Sequence, residues 1–175
     1  LTKNKITQFP STIDLIAETI DFLSLDSNEI RGLIPKSILE NGKISTLNLA
    51  NNYFTFEDIP VSEEFKNPVG NQRPVHLTKK KFKTAIGDTI QIDIRDIAPF
   101  TLSTNEYRWM SADKNKAVST ASNPILTVII DERTIKQKYY CTVTNPSSPN
   151  YELNTSGYTY TFPCLSAVQT DTLSF

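Results

Sequence analysis

Five positions recur at a fixed interval: Ile20, Leu23, Leu25, Asn28 and Ile30 return in the same order as Ile44, Leu47, Leu49, Asn52 and Phe54, a period of 24. A chain with this period must build copies of one small unit that cannot bury its apolar face alone, so neighbouring copies stack. The register also runs backwards, because Leu1, Asn4 and Ile6 stand one such period before Leu25, Asn28 and Ile30. The chain is therefore expected to open inside a third copy, as a fragment of a longer protein. Leu23 and Leu25, like Leu47 and Leu49, alternate as inward residues of a short strand, and successive strands should lie in parallel register. Asn28 and Asn52 fall where the chain turns off the strand, where a buried amide can satisfy backbone groups the turn leaves unpaired.

Bulk properties narrow the function classes. A chain of 175 residues, 38% hydrophobic and 21% charged, suits one medium domain or two small ones. Its net charge of −1, from 18 basic and 19 acidic residues, supplies no general attraction for nucleic acid or an anionic membrane. No stretch approaches the roughly 18 consecutive apolar residues of a membrane span, so no membrane insertion is expected. Two cysteines, Cys141 and Cys164, are too few for a disulfide framework and lack metal-ligand spacing.

Apolar residues at relative positions 1, 4 and 6 with Asn at 9 resemble the LxxLxLxxN core of leucine-rich repeats. The run Ile30 to Pro35 is similar to the NxLxGxIP segment of the repeat class with this period, with Gly32 permitting a tight backbone and Pro35 starting a return arc. Lys36 to Leu39 should form one helical turn. The last copy lacks the glycine, and Tyr53, Phe54 and Phe56 are expected to cap the stack. The resemblance implies a leucine-rich-repeat end piece over residues 1–60, with Leu23, Leu25, Asn28, Leu47, Leu49 and Asn52 as scaffold. Ligand binding would then come from variable strand positions: Phe22, Ser24 and Asp26 in one copy, and Thr46, Asn48 and Ala50 in the next.

Residues 61–73 read as a linker containing Pro68, Gly70, Asn71 and Gln72. Period 2 then replaces period 24. Ile90, Ile92 and Ile94, then Tyr107 and Trp109, Ile125 to Ile130, Tyr139, Cys141 and Val143, and Tyr158, Tyr160 and Phe162 read as strands. No intervening stretch is long enough for a crossover helix, which predicts an antiparallel sheet closed as a sandwich. Trp109 follows Ile94 at an offset of 15 and Tyr139 precedes Cys141 by two, an order that resembles an immunoglobulin-like domain over residues 74–163. The resemblance makes Trp109 the buried strand C tryptophan and Tyr139 a tyrosine corner. Ile94 stands where the strand B cysteine would be, so Cys141 is expected to pack against Ile94 and Trp109 as a small apolar group. With Asn145 near Gly157 around a loop, Cys141 would fall opposite Thr161, and a free thiol is favoured over a bond to Cys164. Residues 164–175 form a weakly patterned tail.

No catalytic set is visible: His76 is the single histidine, without an identifiable partner. Glu57, Asp58, Glu63 and Glu64 lack a Ca²⁺-loop pattern, and no metal or cofactor is expected. Lys79, Lys80, Lys81 and Lys83 read as edge-strand protection in preference to an anion site. Asn154-Thr155-Ser156 fits the N-glycosylation rule. The expected fold is mixed and mainly β: the end of a leucine-rich-repeat solenoid followed by an immunoglobulin-like sandwich. The combination looks like internalin-like bacterial surface proteins, which implies an extracellular or cell-surface, non-catalytic adhesion module, expected as a monomer, that binds protein or glycan. The alternatives are a structural spacer, or an accessory module of a secreted hydrolase holding polysaccharide on tyrosines such as Tyr151 or Tyr158.

Overall fold

The computed structural model describes residues 1–40, 43–59, 70–77, 85–113, 116–119, 122–134, 137–148, 152–155 and, as backbone, 158–159. The fold is mainly β with few short helices. In chain order the elements are α1 (Ile13–Ala17), β1 (Phe22–Ser24), α2 (Lys36–Leu39), β2 (Thr46–Asn48), β3 (Thr89–Asp93), β4 (Glu106–Ser111), β5 (Lys116–Ala117), β6 (Ile125–Ile129), β7 (Lys138–Thr144), β8 (Glu152–Asn154) and β9 (Tyr158–Thr159). Strands β1 and β2 form a parallel pair, with Phe22 beside Thr46, Leu23 beside Leu47 and Ser24 beside Asn48. The sequence period is thus the structural period.

Its cause is a ladder of side-chain amides. The Oδ1 of Asn28 accepts from the backbone N–H of Ile6, and that of Asn52 accepts from Ile30. Each Nδ2 donates backwards and locally: Asn28 to the carbonyls of Leu1 and Leu25, Asn52 to those of Leu25 and Leu49. Both asparagines are fully buried. One amide therefore satisfies a donor and two acceptors that stacking would otherwise strand in the core. The residue before each such Asn turns left-handed: φ is 55° at Lys3, 57° at Ser27 and 57° at Asn51. A conformation that is uncommon outside glycine recurs with the period because the strand must bend sharply there.

Gln72 supplies a third rung. Its Oε1 accepts from Phe54 N–H and its Nε2 donates to the Leu49 carbonyl, repeating the pattern one layer on. The described part of the expected linker, residues 70–73, thus lies along the last copy: Asn51 N–H donates to Asn71 and Arg73 N–H to Asn52. Gly70 has φ +59°, and a Cβ there would stand 3.0 Å from the Cβ of Ala50, so a side chain would be strained in its backbone and crowd Ala50. Beneath it Phe54 and Phe56 are buried, with Phe54 stacked on Phe9 at 6.0 Å. Thr55 and Asp58 close a capping box around the intervening turn.

The remaining strands form antiparallel sheets, as predicted. β3 pairs with β6, and a second sheet runs β5-β4-β7-β8, with β9 also on β7. Inward residues of both sheets, including Ile90, Ile92, Leu126, Trp109, Cys141 and Val143, share one core cluster with Ile30, Leu49 and Phe54 of the stacked copies. Trp109 is fully buried beside Cys141 in register, and its indole N–H donates to the Pro124 carbonyl at 3.2 Å. Tyr139 is buried, its hydroxyl donating to Gln137 Oε1 at 2.8 Å.

Two expectations require correction. Ile94 is buried but does not belong to a strand: Asp93 ends β3 by accepting from Arg95 N–H at 2.9 Å, which starts a 3-10 turn at Ile94. The register after β7 also differs, because Thr144 pairs with Glu152, and Cys141 exchanges hydrogen bonds with Thr155 where Thr161 was expected. Asn145 decides this. Its Oδ1 accepts from Ser147 N–H and its carbonyl from Ser148 N–H, so the chain turns back at once. Tyr160, Phe162, Cys164 and the tail lie outside the described residues.

The stacked copies and the sheets are joined by polar contacts as well as core. Asn145 Nδ2 donates to Asn105 Oδ1 at 2.8 Å, and Asn105 Nδ2 donates to Glu57 Oε1 at 3.1 Å. The same Glu57 oxygen accepts from Thr101 N–H at 2.7 Å and Leu102 N–H at 3.3 Å. The relay Ser147→Asn145→Asn105→Glu57 points every donor one way and ends on a carboxylate, an order in which each bond polarises the next. On the other side Val75 N–H donates to Asn154, bridging the segment after Arg73 to the edge of β8.

Asn52→Ala would leave the buried Ile30 N–H unpaired and take one of two donors from each of the Leu25 and Leu49 carbonyls, and should cost about 3 kcal/mol by chemical denaturation. Asn52→Asp keeps the acceptor but cannot donate, and should cost at least as much. Glu57→Ala should cost about 2 kcal/mol and speed hydrogen exchange at the Thr101 and Leu102 amides, while leaving exchange in β3 and β6 unchanged.

Candidate functional site

The sequence singles out Phe22, Ser24, Asp26, Thr46 and Asn48, and the parallel register brings them together. Side chains alternate across a strand, so with Leu23 buried and Leu47 half-buried, Phe22, Ser24, Thr46 and Asn48 share the opposite face. Phe22 is 64% exposed, an apolar ring no core contact accounts for. Behind it the Asp26 carboxylate is held from two sides, accepting from the Ser24 hydroxyl at 3.0 Å and from Ser27 at 3.2 Å. Asn48 Oδ1 accepts from Ala50 N–H at 3.1 Å, which fixes the amide at the end of β2. The face thus offers one aromatic anchor and a small rim of oriented hydroxyl, carboxylate and amide groups.

Cys141 is a free, buried thiol, and desolvation pushes it from its ordinary 9.0 up to about 12, so it stays protonated and unreactive at neutral pH. Burial also raises the phenols of Tyr107 and Tyr139. Among the described residues, Glu57 Oε2, Tyr107 Oη and Ser111 Oγ are buried without a hydrogen-bond partner. Among the same residues, no group of three or more His, Cys, Asp or Glu could hold a metal ion, and no helix is long and apolar enough to cross a membrane.

Glu63, Glu64, Tyr151 and the lysines Lys79, Lys80, Lys81 and Lys83 lie outside the described residues. Asn154 is exposed on β8, where its Oδ1 accepts from the Thr142 hydroxyl at 3.0 Å. Sequence reasoning missed one cluster altogether. The Arg31 guanidinium lies 4.6 Å and that of Arg73 5.4 Å from the Tyr53 ring centroid, with the His76 ring 5.9 Å away. Arg31 belongs to one copy, Tyr53 to the next and Arg73 to the segment read as a linker, so no local spacing joins them. Tyr53 was expected as part of the cap with Phe54 and Phe56; unlike them it stays half-exposed. No family model, curated protein or solved structure matches the chain.

Because the native Cys141 thiol keeps its proton up to about 12, while the unfolded thiol loses it near 9, unfolding should become easier as pH rises through that window. The expected slope is about 1.4 kcal/mol per pH unit from this group. Denaturation at successive pH values checks this, and Cys141→Val should remove that part of the slope and leave the alkaline loss due to the buried tyrosines.

Proposed function

We propose that this chain is a non-catalytic recognition module of a secreted or cell-surface protein. In this reading residues 1–60 are the end of a leucine-rich-repeat solenoid, closed by Phe54 and Phe56. Residues 74–163 are an immunoglobulin-like domain acting as cap or spacer, and the bound partner is a protein or glycan. The observation that carries the reading is the register of β1 on β2, which sets an exposed Phe22 among Ser24, Thr46 and Asn48. Binding energy at such faces concentrates in a few aromatic anchors ringed by polar groups. The amide ladder supports it further, since it makes a rigid backbone on which the variable strand positions can change without cost to the stack.

A second reading, a spacer or accessory module of a larger secreted enzyme, draws on the Asn145-Asn105-Glu57 relay, which stiffens the junction as a spacer requires. The two separate in one experiment. Protein and glycan arrays probed with this chain should yield a ligand whose affinity falls about tenfold or more in Phe22→Ala, with the melting temperature unchanged. No ligand on either array, or a ligand indifferent to both Phe22→Ala and Asp26→Asn, would leave the spacer reading standing in its place.

A further inference from the structure

We infer that the cleft beside Tyr53 is a second binding site, distinct from the strand face, that takes the oxyanion of an acidic saccharide. The cleft is about 130 Å³ and is lined by Arg31, Tyr53, Thr55, Val75, His76 and Pro99. Arg73 also lies against the Tyr53 ring, so two guanidinium carbons, at 4.6 and 5.4 Å from its centroid, share one aromatic platform. Neither has a carboxylate partner among the described residues. In a chain whose net charge is −1, two guanidinium groups converging on one ring are a local arrangement with no counterpart in the overall balance. Stacking holds both guanidinium groups at the Tyr53 ring, Arg31 lining the cleft and Arg73 beside it, where a bound anion would meet them.

The donors are held in advance. Arg31 N–H donates to Thr7, Tyr53 N–H to Ile30, Arg73 N–H to Asn52 and Val75 N–H to Asn154, so the backbones that carry both arginines, the Tyr53 ring and Val75 are tied to the stack or the sheet edge. Little ordering remains for a ligand to impose. Guanidinium forks match carboxylate and sulfate oxygens in pairs, and the Tyr53 hydroxyl and His76 ring add donors beside them. Val75 and Pro99 supply an apolar wall suited to the C–H face of a sugar. At about 30 Å³ per water the cleft has room for about four waters, which fits one anionic group and part of the ring that bears it. A protein partner would need about 800 Å² on each side, so a saccharide is the better match.

The test titrates the full chain, by calorimetry and amide chemical shifts at physiological ionic strength, with three probes. These are a hyaluronan tetrasaccharide bearing carboxylates only, a sulfated chondroitin tetrasaccharide, and a tetraglutamate peptide. At least one saccharide should bind with shifts centred on Arg31, Tyr53, Arg73 and His76, and the peptide at least about tenfold more weakly. Which saccharide binds more tightly tells carboxylate from sulfate. Arg31→Gln and Arg73→Gln should each lower affinity about tenfold or more, whereas Arg133→Gln, which removes the same charge elsewhere, and Phe22→Ala should not. Arg31 is exposed, so Arg31→Gln decides the matter if Arg73→Gln unfolds. Binding of neither saccharide, equal binding of the peptide, or equal loss in Arg133→Gln would overturn the proposal.

Discussion

The amide ladder is the constraint on which the rest of this structure depends. Parallel stacking of such short strands leaves backbone donors and acceptors facing the core at every turn, and water cannot reach them. Asn28 and Asn52 resolve this because a carboxamide donates and accepts at once, at a reach that spans one layer. No apolar residue could do so, and a carboxylate could only accept. The left-handed residue before each Asn and the inward Leu positions follow from the same geometry.

The end of the ladder explains how a repeating stack gives way to a different arrangement. Gln72 makes a further rung from a segment that has left the period, its carboxamide accepting from Phe54 N–H and donating to the Leu49 carbonyl. The chain then passes to the edge of β8 through Val75. Across the junction Glu57 gathers two backbone N–H groups and the Asn105 amide on one oxygen. Junction and cap are thus one construction: the turn closed by Thr55 and Asp58 is the turn that presents Glu57.

Much of the candidate surface was legible in the residues. Period 24 marked which positions point inward, and strand alternation put Phe22, Ser24, Thr46 and Asn48 on the other side, where the register places them. Period 2 likewise marked β3, β4, β6 and β7. It failed where a side chain ended a strand early. Asp93 captures the Arg95 N–H before Ile94 can continue the alternation, and Asn145 turns the chain at once and shifts the partner of Cys141 to Thr155. Hydrophobic pattern is blind to such local capture, because Asp and Asn read simply as polar positions.

By itself the sequence determined the repeat length, the ladder asparagines, the inward faces and the β-rich character, because these depend on spacing and on the chemistry of single residues. Tertiary structure alone decided which distant residues meet. Arg31, Tyr53, Arg73 and His76 converge, and Glu57 finds Thr101, Leu102 and Asn105, only after stacking and sheet docking have brought separate stretches of chain together. Electrostatic and hydrogen-bond partners across such separations leave no periodic trace, since their geometry is set by how whole layers pack and not by any interval along the chain.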